Sequence, residues 1–574
     1  MAKRRGTARI LAVARGDEAA DLLLAGGEVF VAATREWIRT DLAIADGVIA
    51  GWGPREAREI VDIDGGALCA AFVDAHMHLE STKLWVDDFV RAVLPRGTTA
   101  VAADPHEVAN VFGVRGVAAL AQAAAELPFT FGIAASSCVP ASPFESPGAA
   151  IASDGVRELL GLAGAIGVAE VMNYPDVIAG DAELLAKIAA AGDRRVDGHA
   201  PGLTGAALDA YLAAGIESDH ECTTLEEAEE RRRKGMWVFI REGSASRNLQ
   251  ALIPTVIAHG TDRVALCSDD REPDTLLDDG HLDDCIRLAR RCGVPLEDAL
   301  VLATANPAAY HGFDPLGHLA PGYQADIVCF DRLAELRPAR VFQSGRLVAR
   351  DGELVPGAVG STPAPAWMRR SIHLARVPSA SELTIERPAG GRARVIGITS
   401  DTLTTRHLIV DVDDPLVDLA RIAVLERHHE TGRIGLGYVS GFGLERGAIA
   451  STVAHDAHNC MVVGARDSSG PADMAAAVAR LAEIGGGQVV VCDGEILAEV
   501  ALPIGGLMSG EGAPHTARAV HRLREVAERG LGIRVRAPFM QLSFLGLSVI
   551  PELRITDQGL VDVEKFRLTS VAPD

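Results

Sequence analysis

The sequence predicts an α/β protein: a (β/α)8 TIM-like barrel over residues 70–315, inserted in a small β domain (1–69 with 316–375), and a C-terminal α+β domain over 380–574. Three observations predict it. Short apolar runs alternate with Ala/Leu-rich helical stretches about eight times in roughly 250 residues, the arithmetic of a β/α barrel. Turn-punctuated strands lie on both sides of that region. Polar residues suited to metal binding recur at the same end of successive strands, which favours a barrel over an open doubly wound sheet.

In order along the chain, Asp21-Leu-Leu-Leu-Ala-Gly-Gly-Glu-Val-Phe-Val and Asp41-Leu-Ala-Ile-Ala-Asp-Gly-Val-Ile-Ala-Gly combine apolar alternation with the turn signals Gly26-Gly27 and Asp46-Gly47. From Ala70 the texture changes to strand-then-helix pairs: 72–73 with 84–94, 98–103 with 113–126, 129–135 with 156–162, 165–171 with 181–190, and 195–197 with 205–214. Strand positions near 216, at 237–240 and at 263–267, and a helical region over 282–304, complete the count. Gly317-His-Leu-Ala-Pro-Gly-Tyr-Gln-Ala-Asp-Ile-Val-Cys-Phe and the run from Ala339 return to strands, and residues 356–365, rich in Pro, Ser and Gly, read as a linker. The last part mixes strands (407–412, 488–491) with helices (471–481, 514–529).

At 574 residues the chain exceeds one compact domain, and 48% apolar with 23% charged residues is ordinary globular composition. Lys and Arg number 55 against 78 Asp and Glu, a formal charge of -23, which repels nucleic acid and anionic lipid and argues against both as partners. No apolar run reaches the roughly 18 residues of a membrane span, since Gln122 and Glu126 interrupt the most Ala-rich stretch. Lys3-Arg4-Arg5 leads into polar residues rather than the apolar core of a signal peptide. Nine scattered cysteines without a CxxC pair suggest reduced, mostly buried thiols and a cytoplasmic location.

The strongest chemical feature is Val73-Asp74-Ala75-His76-Met77-His78. Two histidines one residue apart on a strand project to the same face, so both imidazoles can reach one metal ion at the strand's end. Read alone, the pair is a surface accident; its place after an apolar run, opening a βα unit, argues otherwise. Glu170, His199, His220 and Asp269 then follow later strands. Each has a plain structural reading: an ion-pair partner for Glu170, satisfied or capping histidines for His199 and His220, a helix N-cap for Asp269. Their recurrence at one end of successive units is harder to assign to chance, and four histidines with two carboxylates suit two divalent cations sharing a bridging group.

These residues resemble the amidohydrolase superfamily, together with the later Gly-x-Leu-x-x-Gly-x-x-Ala-Asp-Ile-Val. Phe72-Val-Asp-Ala-His-Met-His-Leu-Glu-Ser, Asp104-Pro-His-Glu-Val-Ala-Asn-Val, Ala169-Glu-Val-Met-Asn, Gly198-His-Ala-Pro-Gly, Ser218-Asp-His-Glu and Arg241-Glu-Gly-Ser narrow the resemblance to the bacterial adenine deaminases. So do Asp269-Asp-Arg, Gly280-His-Leu-Asp, Ala454-His-Asp-Ala-His-Asn and Gly505-Gly-Leu-Met-Ser. The resemblance implies hydrolytic deamination of adenine to hypoxanthine and ammonia in purine salvage, with two divalent cations, Mn or Fe, and Zn as a further option. It implies His76, His78 and Asp269 on one cation, His199 and His220 on the other, and Glu170 as the bridge where hydantoinase-like relatives use a carboxylated lysine. Lys83, Trp85 and Glu272 depart from the family pattern and are expected at the pocket rim. By analogy alone, a homodimer is expected.

Water between two cations would ionise near neutral pH and attack C6 of adenine, with Asp269 moving its proton to the departing amine. A second acid must protonate a ring nitrogen; Glu242, Glu80 and Glu221 are candidates, Glu242 being the one assigned a catalytic role. Glu80, His106, Arg241, Ser244 and Asp270 are expected around the substrate. His281 reads as a supporting or capping residue, His455 and His458 as either reaching the barrel mouth or holding the C-terminal domain together, the second being favoured, and His428-His429 as a solvated loop. A cyclic-amide hydrolase and a non-catalytic scaffold are the competing readings, the latter weakened because all six ligand positions are occupied.

Overall fold

A computed structural model describes residues 6–399 and 404–573; Lys3, Arg4 and Arg5 lie outside the described residues. Strand β1 (Ala20–Val31) runs antiparallel to β2 (Glu36–Ala45), which turns into β3 (Val48–Trp52). Asp46 and Gly47 make that turn, both at positive φ (52° and 76°), as a two-residue hairpin requires. Gly26-Gly27, expected to turn, does not. It forms an irregularity inside β1, where the register shifts between Leu24 and Gly27. Before it β1 pairs in parallel with β4 (Ala57–Asp62), and after it with β5 (Ala67–Ala70). A glycine at φ 74° lets one strand change partners.

Eight strands in parallel sheets follow. A five-stranded half-barrel sheet holds β6 (Phe72–Met77), β7 (Thr98–Ala103), β8 (Thr130–Ala135), β9 (Ala165–Val171) and β10 (Arg195–Gly198). A three-stranded sheet holds β11 (Ser218–Asp219), β12 (Trp237–Arg241) and β13 (Val264–Cys267). Hydrogen bonds link the two sheets on both sides: Glu217 N–H donates to the Val196 carbonyl and Asp269 N–H to the His76 carbonyl, each at 3.0 Å. All six residues of β6 and of β7 are buried, as in parallel strands covered on both faces.

Helices Val86–Val93, Ser153–Leu160, Ala182–Ala189 and Gly205–Ala213 fall where the periodicity puts them. Helix His106–Ala125 begins earlier than expected, directly after Pro105, and kinks at Gly113 (φ 63°). It is also long and apolar enough by length and composition to cross a membrane, although Glu107 and Arg115 interrupt its apolar run. Its first turns, however, carry buried His106, Glu107 and Asn110. The region 282–304 splits into Leu282–Arg291 and Leu296–Leu302, because Gly293 (φ 96°) and Pro295 end the first helix.

Strand β14 (Ile327–Phe330) then pairs with β5, and β15 (Arg340–Gln343), β16 (Arg346–Arg350) and β17 (Glu353–Leu354) extend a sheet drawn from both flanks of the parallel strands. The stretch 356–365 is not a free linker. Trp85 Nε1–H donates to the Thr362 carbonyl at 2.6 Å, Arg91 to the Val359 carbonyl at 2.9 Å, and Thr362 N–H to Asp87 at 3.3 Å. Its polar backbone is strapped to the helix Val86–Val93.

The C-terminal part centres on an eight-stranded sheet, in order β19-β18-β21-β20-β23-β22-β24-β25. These strands are β18 (Arg392–Ile398), β19 (Thr405–Asp411), β20 (Ala420–Leu425), β21 (Ile434–Ser440), β22 (Ala448–Ser451), β23 (Cys460–Gly464), β24 (Gly487–Cys492) and β25 (Glu495–Ala501). Helix Gly470–Ile484 packs Met474, Ala477, Val478 and Leu481 on Val462, Val489 and Val491. Among the described residues none of the nine cysteines is crosslinked, and all but Cys292 are buried.

Candidate metal centre

Strand ends build the site. His76 is the last residue but one of β6 and His78 follows the strand on the same face, both buried. Their Nε2 atoms stand 3.1 Å apart, and Asp269 Oδ1 lies 3.4 Å from the first and 3.5 Å from the second. Glu170, near the end of β9, turns one oxygen to each side: Oε1 is 3.5 Å from His78 Nε2, while Oε2 is 2.7 Å from His199 Nδ1 and 3.2 Å from His220 Nε2. The rings of His76 and His220 stack at 4.1 Å. All six residues singled out from the sequence therefore converge.

Supporting bonds fix these side chains. The Tyr211 hydroxyl accepts from His199 N–H at 3.0 Å and donates to the Val171 carbonyl at 2.6 Å. Asp219, beside His220, accepts from Ala200 N–H at 2.8 Å and faces Arg231 Nε at 2.9 Å. Asp74 accepts from Ser268 through both N–H (3.1 Å) and hydroxyl (2.5 Å), tying β6 to β13, and its carboxylate lies 3.0 Å from His281 Nε2. Asp269 sits at φ 53°, a sparsely allowed conformation for a non-glycine residue. Its N–H bond to His76 and its 3.1 Å contact with Arg241 hold it there.

The donor set fits divalent cations. His78 Nδ1–H donates to the Asp104 carbonyl at 3.1 Å, which leaves its Nε2 lone pair aimed at the neighbouring histidine and carboxylates, the usual second bond of a metal-ligating imidazole. His199 Nε2 and His220 Nδ1 are buried without a hydrogen-bond partner among the described residues. Burial opposes ionisation of Asp269, but Arg241, His76 and His78 outweigh it and hold its carboxyl well below the usual range. Glu170 is likewise depressed by His199 and His220 against the pull of burial. Both are acceptors at neutral pH.

A narrow cavity opens over this cage, lined also by His106, Glu221, Arg241 and Asp270, with Met172, Phe544 and Leu547 as apolar walls. Glu221 is clamped by Arg241 through two contacts, one of 2.9 Å. His106 Nδ1 lies 3.4 Å from Asp104 and 3.5 Å from Glu170. Three expected site residues fall elsewhere. Arg241 faces the cavity, so Glu242, next along the strand, turns away: its carboxyl is acted on by Arg247 and Arg271 and does not line the cavity. Ser244 bonds Thr275 at 3.0 Å and Glu272 N–H at 2.8 Å, stitching two loops. Glu80 accepts from Val108 N–H at 2.9 Å beside Glu107, and burial followed by that second charge pushes its carboxyl up to about 8. Lys83 and Glu272, expected at the rim, instead pair with each other, buried, at 2.6 Å.

The C-terminal part supplies what the sequence reading missed. The loop 452–459 between β22 and β23 brings His455 and Asp456 into the cavity wall, so of the two readings of His455 the less favoured one, at the barrel mouth, is the one observed. The His455 ring stacks on Phe544 at 4.5 Å, and the backbone N–H of His455 donates to the Ser543 carbonyl at 3.0 Å. Buried Arg427 holds the loop through the His458 carbonyl, reaching the Ser371 (2.9 Å) and Gly505 (3.0 Å) carbonyls as well. His429 is exposed, as expected of a solvated loop, whereas His428 is half-buried. His428 Nε2–H donates to the Ala457 carbonyl at 2.7 Å, and His429 Nε2–H to the Pro147 carbonyl at 2.9 Å. The spacing Ala454-His-Asp-Ala-His-Asn was the available signal, but nothing local says what such a loop covers.

Strand-end histidines and carboxylates on parallel sheets define the class, and the chain matches the amidohydrolase family over residues 67–350. The adenine deaminase C-terminal domain matches residues 399–567. Adenine deaminase from Desulfatibacillum aliphaticivorans is 42% identical over 98% of this chain and 99% of its own length. That from Cereibacter sphaeroides is 43% identical over 98% and 100%, and that from Archaeoglobus fulgidus 42% identical over 99% and 98%. The chain belongs to the adenine deaminase family.

Proposed function

We propose that this protein hydrolyses adenine to hypoxanthine and ammonia in purine salvage, and that the observation carrying the reading is the convergence of His76, His78, Glu170, His199, His220 and Asp269 beneath a small, partly apolar cavity. The two parallel sheets are read as one (β/α)8 barrel over residues 70–315, supported by the hydrogen bonds at both junctions. Residues 1–69 with 316–375 form the β domain, and 380–574 the C-terminal α+β domain. The unlinked thiols support a reducing, cytoplasmic setting, and a homodimer remains the expected assembly.

His76, His78 and Asp269 would hold one divalent cation and His199 with His220 a second, Glu170 giving one oxygen to each; Mn or Fe suits the mixed nitrogen and oxygen set, with Zn as a further option. Bound there, such cations supply Lewis acidity and bring the pKa of water toward neutrality. Met172, Phe544 and Leu547 sandwich the purine and exclude water. Asp269, kept ionised, accepts the proton of the water that attacks C6 and returns it to the departing amine. Arg241 orients both Asp269 and Glu221. Of the three acids proposed from the sequence only Glu221 lines the cavity, so passing the second proton of the attacking water to the ring nitrogen is assigned to it. Asp270, tied to Ser81 at 2.5 Å, and His106 complete the rim.

A spectrophotometric adenine-to-hypoxanthine assay of wild type, Glu170→Gln and Asp269→Asn tests this. Each substitution should lower kcat by about 100-fold or more. Full turnover in both variants, or ammonia release from hydantoin or dihydroorotate but not adenine, overturns the reading.

A further inference from the structure

Asp456 is a carboxylate that the chemistry above leaves unused. It is 1% exposed, lines the cavity, and its Oδ2 has no hydrogen-bond partner among the described residues. A buried carboxylate oxygen without a donor is costly unless something supplies one. Its other oxygen stands 3.7 Å from His106 Nε2 and 3.6 Å from His455 Nδ1. Across the same His106 ring, Nδ1 is 3.5 Å from Glu170. Asp456 and the metal cage thus face the cavity from opposite edges of one imidazole. For a purine with C6 at the cage, the five-membered ring is the part left to face the remaining wall, where Asp456 stands beside Met172, Phe544 and Leu547.

We propose that Asp456 is a specificity residue: its free oxygen accepts the imidazole-ring N–H of adenine, so the C-terminal domain selects the free base over purines substituted at that nitrogen. The assignment rests on the adenine-hydrolase reading. An unsubstituted purine fills the acceptor; a nucleoside or N9-alkyl purine brings carbon where the donor belongs and strands the charge. Discrimination of this kind is large, because the penalty falls on an unpaired buried group.

The test compares kcat and KM for adenine and 9-methyladenine, which has no ring N–H, in wild type, Asp456→Asn and Asp456→Ala at equal metal content. Wild type should prefer adenine in kcat/KM. Both variants should lose about tenfold or more of that preference, mainly through a higher KM for adenine. Should a variant not fold, calorimetry on wild type decides: hypoxanthine should bind more tightly than 9-methylhypoxanthine, and equal affinities overturn the assignment. A merely structural Asp456 would weaken both substrates together and leave the ratio unchanged, which also overturns it. If wild type turns over no adenine, the parent reading falls and this one with it; adenine turnover with an unaltered preference in the variants sinks the role of Asp456 alone.

Discussion

Glu145 shows how one buried carboxyl couples the protein to pH. Burial first, then the charge of Asp456, pushes its carboxyl up to about 8 from an ordinary 4.5. The folded state therefore binds the proton more tightly than the unfolded chain. The resulting stability is full below the unfolded value and lost as pH rises through about 8. Glu145→Gln removes the titration and keeps an oxygen for Ala141 N–H, which Glu145 binds at 2.9 Å. The melting temperature of wild type should fall relative to this variant between about pH 5 and about pH 9; a constant difference across that range would contradict the raised carboxyl. Tyr211 offers a second test. Its hydroxyl satisfies two buried backbone groups next to His199, so Tyr211→Phe should cost about 1–3 kcal/mol in urea unfolding and lower the metal content of the purified protein. At this scale the ligands were legible, since residue type at a strand end is a local property. The orientation of Glu242 was not, because its strand extends one residue further than the apolar run suggests and puts Arg241 inward.

Elements meet through charges that no single segment announces. Lys83 follows the first parallel strand, Glu272 lies after the last, and Arg524 belongs to the helix Ala513–Leu531; Glu272 joins them at 2.6 Å and 3.1 Å. Two of the three residues expected to depart from the family pattern thus pair with one another. Lys83→Met leaves Glu272 short of a partner in a dry site and should destabilise by about 3–5 kcal/mol, read by denaturant unfolding, with little change in KM because neither residue lines the cavity. Strands and most helices were readable from periodicity and from turn chemistry, as at Asp46-Gly47. Gly26-Gly27 was misread, since a glycine pair marks a turn or a bulge equally well until the partner strands are known. The 356–365 segment has linker composition, and what holds it in place is a helix reached only after folding.

For the whole molecule, the C-terminal part roofs the site. Met172, Cys138 and Ala141 pack on Met540, Phe544, Leu547 and Ile550, and Ser146 bonds Asp557 through both N–H (3.0 Å) and hydroxyl (2.7 Å). If the cage holds cations, chelation should abolish adenine turnover and lower the melting temperature by several degrees, and added Mn should restore both, because ligands of the native state stabilise it by mass action. A melting temperature indifferent to the chelator would show that no cation is held there. The amino-acid order by itself determined the strand-helix alternation and the six cage residues, because period-two projection and strand ends are set within a few neighbouring positions. Only the tertiary structure decided that the loop 452–459 closes the cavity and that Asp456, rather than Glu242, faces it. Contacts between segments hundreds of residues apart leave no trace in local periodicity.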